Sequence, residues 1–358
     1  MTGSPPLSDQ AARLAAQLLS GPPARSPGEV VERLLAVQAQ DPRGARLGVR
    51  ARSEGLYARD VDQALDDREL VVSWVNRGTL HLVRSEDYPW LHALTTPQLA
   101  TSNATRLKQE GVSPGQADRG VRAVTRLLAD GPKTRLELRD ALQAADVPVK
   151  GQALVHVLLL ASLRGVCVRG PMVGKEQAFV LVRDWLPPSP PVDRERALRE
   201  LAVRYLAGHG PSTERDLVKW AGITLGDARR AMAQVTPAEP APADLPPPRL
   251  LGPFDELLMG WASREPVLGA HGGVVTVNGI FKPIALVRGK AVATWSMPRG
   301  PGGPVELDPL APLAASVRAS LATEADRVRE FLLGPQKDGS STESRHSDHA
   351  GGRELPQQ

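Results

Sequence analysis

The sequence GPKTRLEL at residues 131–138 recurs as GPSTERDL at residues 210–217, and this repeat is the best evidence for how the chain is organised. The two copies share glycine, proline, threonine, an acidic residue and leucine at matching positions. A recurrence of this kind indicates one supersecondary unit that is used again. In each copy a threonine followed three residues later by a carboxylate predicts the start of a capped helix.

Each copy of the repeat lies between two helical segments. An amphipathic helix is predicted before it, at residues 121–128 in the first copy and 198–206 in the second. Another helix is predicted after it, at residues 150–163 and, capped by Thr224, at residues 225–235. Two helices joined by a tight turn form a helix-turn-helix, whose second helix can lie in the major groove of DNA.

The two copies differ after the second helix. In the first copy, strands at residues 165–169 and 178–182 are predicted to flank a loop at residues 170–177, which gives a wing. The second copy continues into a Pro-rich stretch at residues 237–248, which we expect to be an ordered or semi-rigid connector.

The N-terminal part has the same winged-helix order. A short amphipathic helix at residues 11–19 is followed by a helix that opens with SPGE at residues 26–29 and buries a stripe over residues 30–35. A third helical segment at residues 60–65 leads into strands at 70–75 and 79–83.

The C-terminal part is β-rich. Strands are predicted at residues 274–277, 283–287 and 291–295, the last two joined by a turn at residues 288–290, and a final helix at 310–333. The fold class is therefore α+β, with tandem winged-helix (helix-turn-helix) units and a C-terminal β-rich segment. The predicted boundaries are 1–115 and 116–190 for two winged-helix units, 191–248 for a third helix-turn-helix unit with the connector, 249–333 for the β-rich segment and final helix, and 334–358 for a disordered tail.

Composition limits the kinds of partner. The 358 residues carry a net charge of +4, the pI is near 9.4, and arginine is preferred over lysine, which fits a polyanionic partner. Cys167 is the only cysteine, which excludes a disulfide framework. The single cysteine indicates a reducing compartment and no stretch approaches a membrane span, so we expect a cytoplasmic, nucleoid-associated protein. The histidines show no metal spacing and no cofactor motif is found, so no metal and no cofactor are predicted.

The tripeptide Gln38-Ala39-Gln40 is the sharpest chemical feature. Gln38 falls on the buried side of its predicted helix, and Asp41-Pro42 is expected to end that helix. If the chain unwinds at Ala39, the two amides face the same way, as alternate residues of an extended segment do. The alternative is that Gln38 is a hydrogen-bonded core residue and Gln40 a neighbour of the helix C-cap.

Four separated segments resemble the winged-helix DNA glycosylases of the AlkZ and YcaQ type. They are LLAVQAQDP at residues 34–42, RGTLHLV at 77–83, LGPFDELL at 251–258 and VNGIFKP at 277–283. In that family Gln, an aliphatic residue, then Gln or Asp marks the catalytic residues. The resemblance therefore implies that Gln38 and Gln40 are catalytic, although Ala39 is smaller than the usual middle residue.

Two neutral amides suit one kind of leaving group. Alkylation at N7 gives guanine a positive charge, so the base can depart without being protonated first. What remains is to stabilise an oxocarbenium-like sugar and to place a water against C1′, which oriented amides can do. Asp41 directly follows Gln40 in the sequence and is a candidate substrate contact.

Further residues are candidates for contacts to substrate or DNA. His81, on the same strand face as Thr79, is expected to point either to a cleft beside the glutamines or to solvent, and Asp255 is either a site residue or a helix cap. Arg43, Arg46, Arg50 and Arg52 are close enough in sequence to grip phosphates, or they form a solvated face. Arg288 and Lys290 at a hairpin tip could probe a groove. The resembling segments add Arg77 and Lys282.

The leading prediction is a monofunctional, monomeric DNA glycosylase that acts on double-stranded DNA with cationic N7-alkylguanine, including bulky adducts or interstrand crosslinks. The resemblance implies a role in DNA repair or in self-resistance to a DNA-alkylating natural product. The alternative is a winged-helix transcriptional regulator, which would usually dimerise on two half-sites.

Overall fold

The computed structural model describes residues 7–236 and 244–334. Residues 237–243 of the predicted connector, and the predicted tail after Gly334, lie outside the described residues. Among residues 7–236 and 244–334, no helix is both long enough and apolar enough to cross a bilayer.

The elements confirm an α+β chain. The helices are α1 (Leu7–Ala16), α2 (Pro27–Leu34), α3 (Pro42–Arg50), α4 (Ala58–Asp66), α5 (Tyr88–Thr95), α6 (Leu99–Gln109), α7 (Pro114–Leu128), α8 (Arg135–Ala144), α9 (Ala153–Leu163), α10 (Val182–Trp185), α11 (Arg194–His209), α12 (Glu214–Ala221), α13 (Leu225–Met232), α14 (Glu256–Met259), α15 (Glu265–Leu268) and α16 (Ala315–Leu333). The strands are β1 (Val37–Gln38), β2 (Leu70–Val75), β3 (Thr79–Arg84), β4 (Cys167–Val173), β5 (Glu176–Leu181), β6 (Arg249–Leu251), β7 (Ile284–Val287), β8 (Lys290–Ser296) and β9 (Glu306–Pro309).

The repeat forms two capped helices, as the sequence predicts. Thr134 caps α8 in a reciprocal capping box with Glu137, and Thr213 caps α12 in the same way with Asp216. Each of these helices is preceded by an amphipathic helix, α7 or α11, and followed by a second helix, α9 or α13. The helices predicted around both copies of the repeat are therefore confirmed.

The wing of the first repeat copy is tighter than predicted. The strands β4 and β5 extend to Val173 and Glu176 and leave only Gly174 and Lys175 between them, so the predicted loop over 170–177 is wrong. Gly174 supplies the positive φ of +64° that the turn requires. A bulge between Arg169 and Met172 shifts the register, which is why strand alternation breaks there in the sequence.

Strands on both sides of the predicted boundary near residue 115 join in one sheet. Its strand order is β1-β3-β2-β4-β5, and β2 pairs with β4 through Val72 and Arg169. Side chains alternate between two apolar cores, with Val72 and Leu82 on one face and Val71 and Val83 on the other. The sheet and its cores thus continue across the predicted boundary near residue 115.

The C-terminal segment forms a second, four-stranded sheet in the order β6-β7-β8-β9. The predicted hairpin around residues 288–290 is confirmed. The predicted strand at 274–277 is wrong, because a short 3-10 helix covers Gly272–Val274 and only Val275 makes a bridge, to Phe281. The final helix begins at Ala315 rather than 310, because β9 and prolines occupy the preceding residues.

Candidate active site

The strand β1 presents the two glutamines. The helix α2 ends at Leu34, because Leu35 adopts a positive φ of 66°, and the chain then pairs Val37 with Leu82 of β3. The prediction that the helix continues through Gln38 is wrong, and the extended alternative describes the segment. Asp41 does not end a helix but begins one, since its Oδ1 accepts the N–H of Gly44 at 2.8 Å and caps α3.

Both amides lie along β3. Gln38 stands opposite His81 and is only 3% exposed, whereas Gln40 is exposed and its Oε1 accepts the N–H of Leu80 at 3.3 Å. Between them, the N–H of Ala39 donates to the carbonyl of Leu80 at 2.7 Å. Both glutamines are therefore held against β3 at the edge of the five-stranded sheet, Gln38 within β1 and Gln40 just after it.

His81 is a neutral, buried imidazole. Its Nδ1 lies 2.9 Å from the carbonyl of Thr79, so Nδ1 carries the proton and Nε2 is left as an acceptor. Burial, with a smaller contribution from the Arg77 charge, lowers the pKa of His81 to about 3. The side chain is fully buried on the face that holds Gln38, which rules out the solvent-facing alternative.

Unpartnered polar atoms cluster at the start of β3. Within the described residues, buried atoms with no hydrogen bond include His81 Nε2, Thr79 Oγ1 and both amide atoms of Asn76. An unsatisfied buried group costs about 1–3 kcal/mol, so such groups are rare and usually have a water or ligand as partner. This end of the β2–β3 hairpin therefore has the capacity to bind a polar group beside Gln38.

Arg77 points into the protein. Its guanidinium donates to the carbonyls of Lys219, at 3.1 Å, and Trp220, and its Nη2 lies 3.5 Å from Gln38 Oε1. Burial lowers the pKa of Arg77, while the charge of Glu256 opposes that shift. Arg77 is thus a neighbour of the Gln38 amide, and carbonyls of α12 occupy its Nη1 donors.

Glu256 is a site residue that the sequence analysis missed. It is 1% exposed, and its Oε1 accepts the backbone N–H of Gln38 at 2.7 Å. Burial raises the pKa of Glu256 to about 7, against the lowering effects of the Gln38 N–H, Arg77 and Trp220. Its place next to Asp255 in a resembling segment was the one signal in the sequence.

Asp255 forms a structural ion pair instead of a DNA contact. Both of its oxygens accept from Arg52, at 2.8 and 2.9 Å, and both side chains are fully buried. Oδ1 also accepts the N–H of Leu257 and caps α14. This pair fixes the helix that carries Glu256, and it removes Asp255 and Arg52 from the residues that can reach a phosphate.

Two more of the candidate arginines form ion pairs inside the protein. Arg46 pairs with Asp62 and donates to the carbonyl of Pro42, and Arg50 pairs with the buried Glu324. The prediction that this run grips phosphates is therefore incorrect for Arg46 and Arg50. Their spacing places them against α4 and α16 instead.

Arg43 and Lys282 line an open groove next to the glutamines. The groove has a volume of about 610 Å³, and Asp41 and Pro253 lie in its wall. Arg43 and Lys282 are exposed, and neither side chain has a hydrogen bond or ion pair to another described residue. The groove starts one residue after Gln40, and its lining also includes the carboxylates of Glu306 and Asp308 on β9, so its two cations can meet an anion only on the side away from these carboxylates.

The hairpin tip at Arg288–Lys290 packs against the body of the protein. Gln10 of α1 donates to the carbonyl of Gly289 at 2.7 Å, and Lys290 Nζ donates to the carbonyl of Pro266 at 2.6 Å. Only Arg288 remains exposed without a described partner. The tip backbone is therefore held against α1, Lys290 is tied to the carbonyl of Pro266, and Arg288 is the residue of the tip that stays free to contact DNA.

Comparisons with known proteins agree with this architecture. The family model for DNA glycosylase AlkZ-like proteins matches residues 31–331. A relative described as an interstrand DNA cross-link repair glycosylase, from Streptomyces sahachiroi, is 29% identical over 323 residues, which cover 80% of this chain and 86% of the relative. The solved structure of Streptomyces sahachiroi DNA glycosylase AlkZ superposes with a TM-score of 0.74 at 24% identity, covering 91% of this chain and 96% of that one. The chain therefore belongs to the AlkZ-like DNA glycosylase family.

Proposed function

We propose that this protein is a monofunctional DNA glycosylase that hydrolyses the N-glycosidic bond of cationic N7-alkylguanine in double-stranded DNA. Gln38 and Gln40 are the catalytic residues. One observation carries the proposal: two neutral amides lie along β3 beside a neutral imidazole and buried polar atoms without partners. The proposed role is in DNA repair or in self-resistance to a DNA-alkylating natural product.

The proposed reaction needs no strong acid. The C1′–N9 bond breaks, the base takes the bonding electron pair and leaves as neutral N7-alkylguanine, and water adds to C1′ with loss of a proton. Amide oxygens can accept a hydrogen bond from that water, and amide N–H groups can donate to it. Fixed dipoles of this kind stabilise the developing charge of the sugar by orientation and electrostatics.

The environment of Gln38 favours an already activated base. His81 is neutral at physiological pH and cannot donate a proton from an imidazolium. The described contacts of the two glutamine side chains include no lysine amine, which supports hydrolysis without a lyase step. A neutral base such as uracil would need a stronger leaving-group stabiliser than these groups supply.

The groove that contains Arg43 and Lys282 is the proposed contact for the DNA backbone. Both are exposed cations, and guanidinium and ammonium groups bind phosphates. Asp41 and Thr79 flank the glutamines as further substrate contacts. The protein is proposed to act as a monomer on a single lesion, which a sizing measurement on the DNA complex checks.

Bulky adducts and interstrand crosslinks are the proposed wider substrate range. Support comes from the Streptomyces sahachiroi relative, which is named an interstrand DNA cross-link repair glycosylase. Gln40 is exposed, so the pair opens to the surface instead of lying at the bottom of a closed pocket.

Three duplexes test this function, carrying N7-methylguanine, uracil or an N7-linked interstrand crosslink. The proposal predicts free N7-methylguanine and an abasic site from the first, none from the second, and unhooked strands from the third. Release of uracil at a comparable rate would contradict the cationic-base mechanism. No release from the first duplex would contradict the proposed reaction.

A further inference from the structure

Glu256 is buried in surroundings that destabilise an ionised carboxylate. It is 1% exposed, and no lysine or arginine nitrogen of the described residues lies within ion-pair distance of its oxygens. A buried charge that lacks an ion-pair partner destabilises a fold unless it is hydrogen-bonded. Its two hydrogen bonds come from the backbone N–H of Gln38, at 2.7 Å, and from Nε1 of Trp220, at 3.2 Å.

The bond to Gln38 completes the edge of the sheet. The strand β1 is the outermost strand, and the N–H of Ala39 points inward to Leu80. Because N–H groups alternate in an antiparallel ladder, the N–H of Gln38 points outward, away from β3. Glu256 Oε1 accepts that outward N–H, so the carboxylate takes the place of a missing neighbouring strand.

The same glutamine is held on its other end by a positive charge. Arg77 Nη2 lies 3.5 Å from Gln38 Oε1, and the guanidinium is fixed by carbonyls of α12. Trp220, which donates to Glu256, also belongs to α12. Gln38 thus lies between a carboxylate on its backbone and a guanidinium on its side chain, both anchored to one helix.

We propose that Glu256 is the positioning residue of this site, and that its ionised carboxylate fixes the backbone and, with Arg77, the amide orientation of Gln38. This inference rests on the proposed function for its effect on catalysis, but its structural part does not. A protonated Glu256 keeps only one full acceptor oxygen for two N–H donors. Protonation therefore loosens either Gln38 or Trp220.

Titration of Glu256 near neutrality results from its surroundings. Burial raises its pKa to about 7, so the ionised form is lost as pH falls through that value. The charged and titratable groups around it are Arg77, the Arg52–Asp255 pair, Arg264, Asp216, Tyr205 and the neutral His81 and His209. The two histidines have pKa values of about 3 and stay neutral across this range.

An activity-independent experiment tests the structural part. In ¹⁵N–¹H spectra of the full chain, the Gln38 backbone amide should shift with pH with a midpoint near 7 in the wild type, and not in Glu256→Gln. Glu324→Gln is the matched control, since Glu324 is also a buried carboxylate but bonds Arg50 and Leu250. A Gln38 amide that does not titrate would overturn the inference, whatever the enzyme's activity.

The catalytic part is tested by the pH dependence of base release from N7-methylguanine DNA. Wild type should lose kcat below about pH 7, and Glu256→Gln should have a kcat that is about 10- to 100-fold lower, pH-independent on the acid side, with little change in KM. Glu256→Gln places an N–H against Trp220, so the double variant with Trp220→Phe removes that clash if the single variant folds poorly. An acid limb that persists in either folded variant would overturn the inference, whereas an inactive wild type would contradict only the proposed reaction.

Discussion

Gln38 and His81 lie directly opposite each other on antiparallel strands, and both side chains point to the same buried face of the five-stranded sheet. The imidazole keeps Nδ1 occupied by the Thr79 carbonyl and leaves Nε2 without a partner among the described residues. The pairing therefore places a free acceptor beside the amide that we propose to be catalytic.

Removal of the Arg52–Asp255 pair should cost stability. Asp255→Asn leaves a buried guanidinium uncompensated and should lower the free energy of unfolding by about 3–5 kcal/mol. Urea titration at neutral pH measures this loss. A variant that keeps wild-type stability but binds DNA weakly would contradict the structural role and restore Asp255 as a DNA contact.

The two free cations of the groove should control the salt dependence of DNA binding. Arg43→Gln combined with Lys282→Gln should make the negative slope of log K for DNA binding against log salt shallower by about 2. Each lost phosphate contact removes about 0.9 from its magnitude. Arg329→Gln is the matched control, since this arginine pairs with Asp326 on α16. An unchanged slope in the double variant would place the DNA elsewhere.

Acid should destabilise the fold through its buried neutral histidines. Burial lowers the pKa of His209 to about 3. Below about pH 6.5 His209 is therefore protonated in the unfolded chain but stays neutral in the folded chain. The free energy of unfolding falls as the pH drops from there toward 3. His209→Phe keeps the ring contacts with Tyr205 and Trp220 and should make unfolding free energy less sensitive to pH over this window. An identical pH dependence in wild type and variant would show that His209 is not buried as described.

Close packing between α3 and the segment before α14 should tolerate no added methyl group. A Cβ on Gly44 would lie 2.7 Å from the carbonyl oxygen of Pro253, too close for any side-chain adjustment to relieve. Gly44→Ala should therefore destabilise by about 1–3 kcal/mol and slow base release, because the N-cap of α3 is Asp41, next to Gln40. Gly115→Ala, with open space around its Cβ, serves as the control and should change neither.

Local signals predicted much of the helical framework. The capping boxes at Thr134 and Thr213 need only residues three positions apart, and the repeat places them in equivalent units. The strand at Val37–Gln38 could not be predicted in the same way, because apolar residues continue the helical pattern past Leu34. Pairing with Leu82, distant in sequence, outweighs that local preference.

Side-chain partners across the chain were the least predictable feature. Arg46, Arg50 and Arg52 form a basic run in sequence, yet their partners Asp62, Glu324 and Asp255 come from three other segments. Glu256 was missed for the same reason, since only the fold brings its carboxylate to the outward N–H of Gln38. The type of residue was visible, but the burial that decides its role was not.

Base release by the variant Gln38→Ala/Gln40→Ala shows whether the two glutamines are catalytic. The substrate is duplex DNA with N7-methylguanine, folding is verified by urea titration, and Gln63→Ala is the control because this exposed glutamine bonds only Asp67. If the glutamines are catalytic, the double variant loses at least about 100-fold in kcat while the control matches wild type. Undiminished base release by a folded double variant would contradict this role.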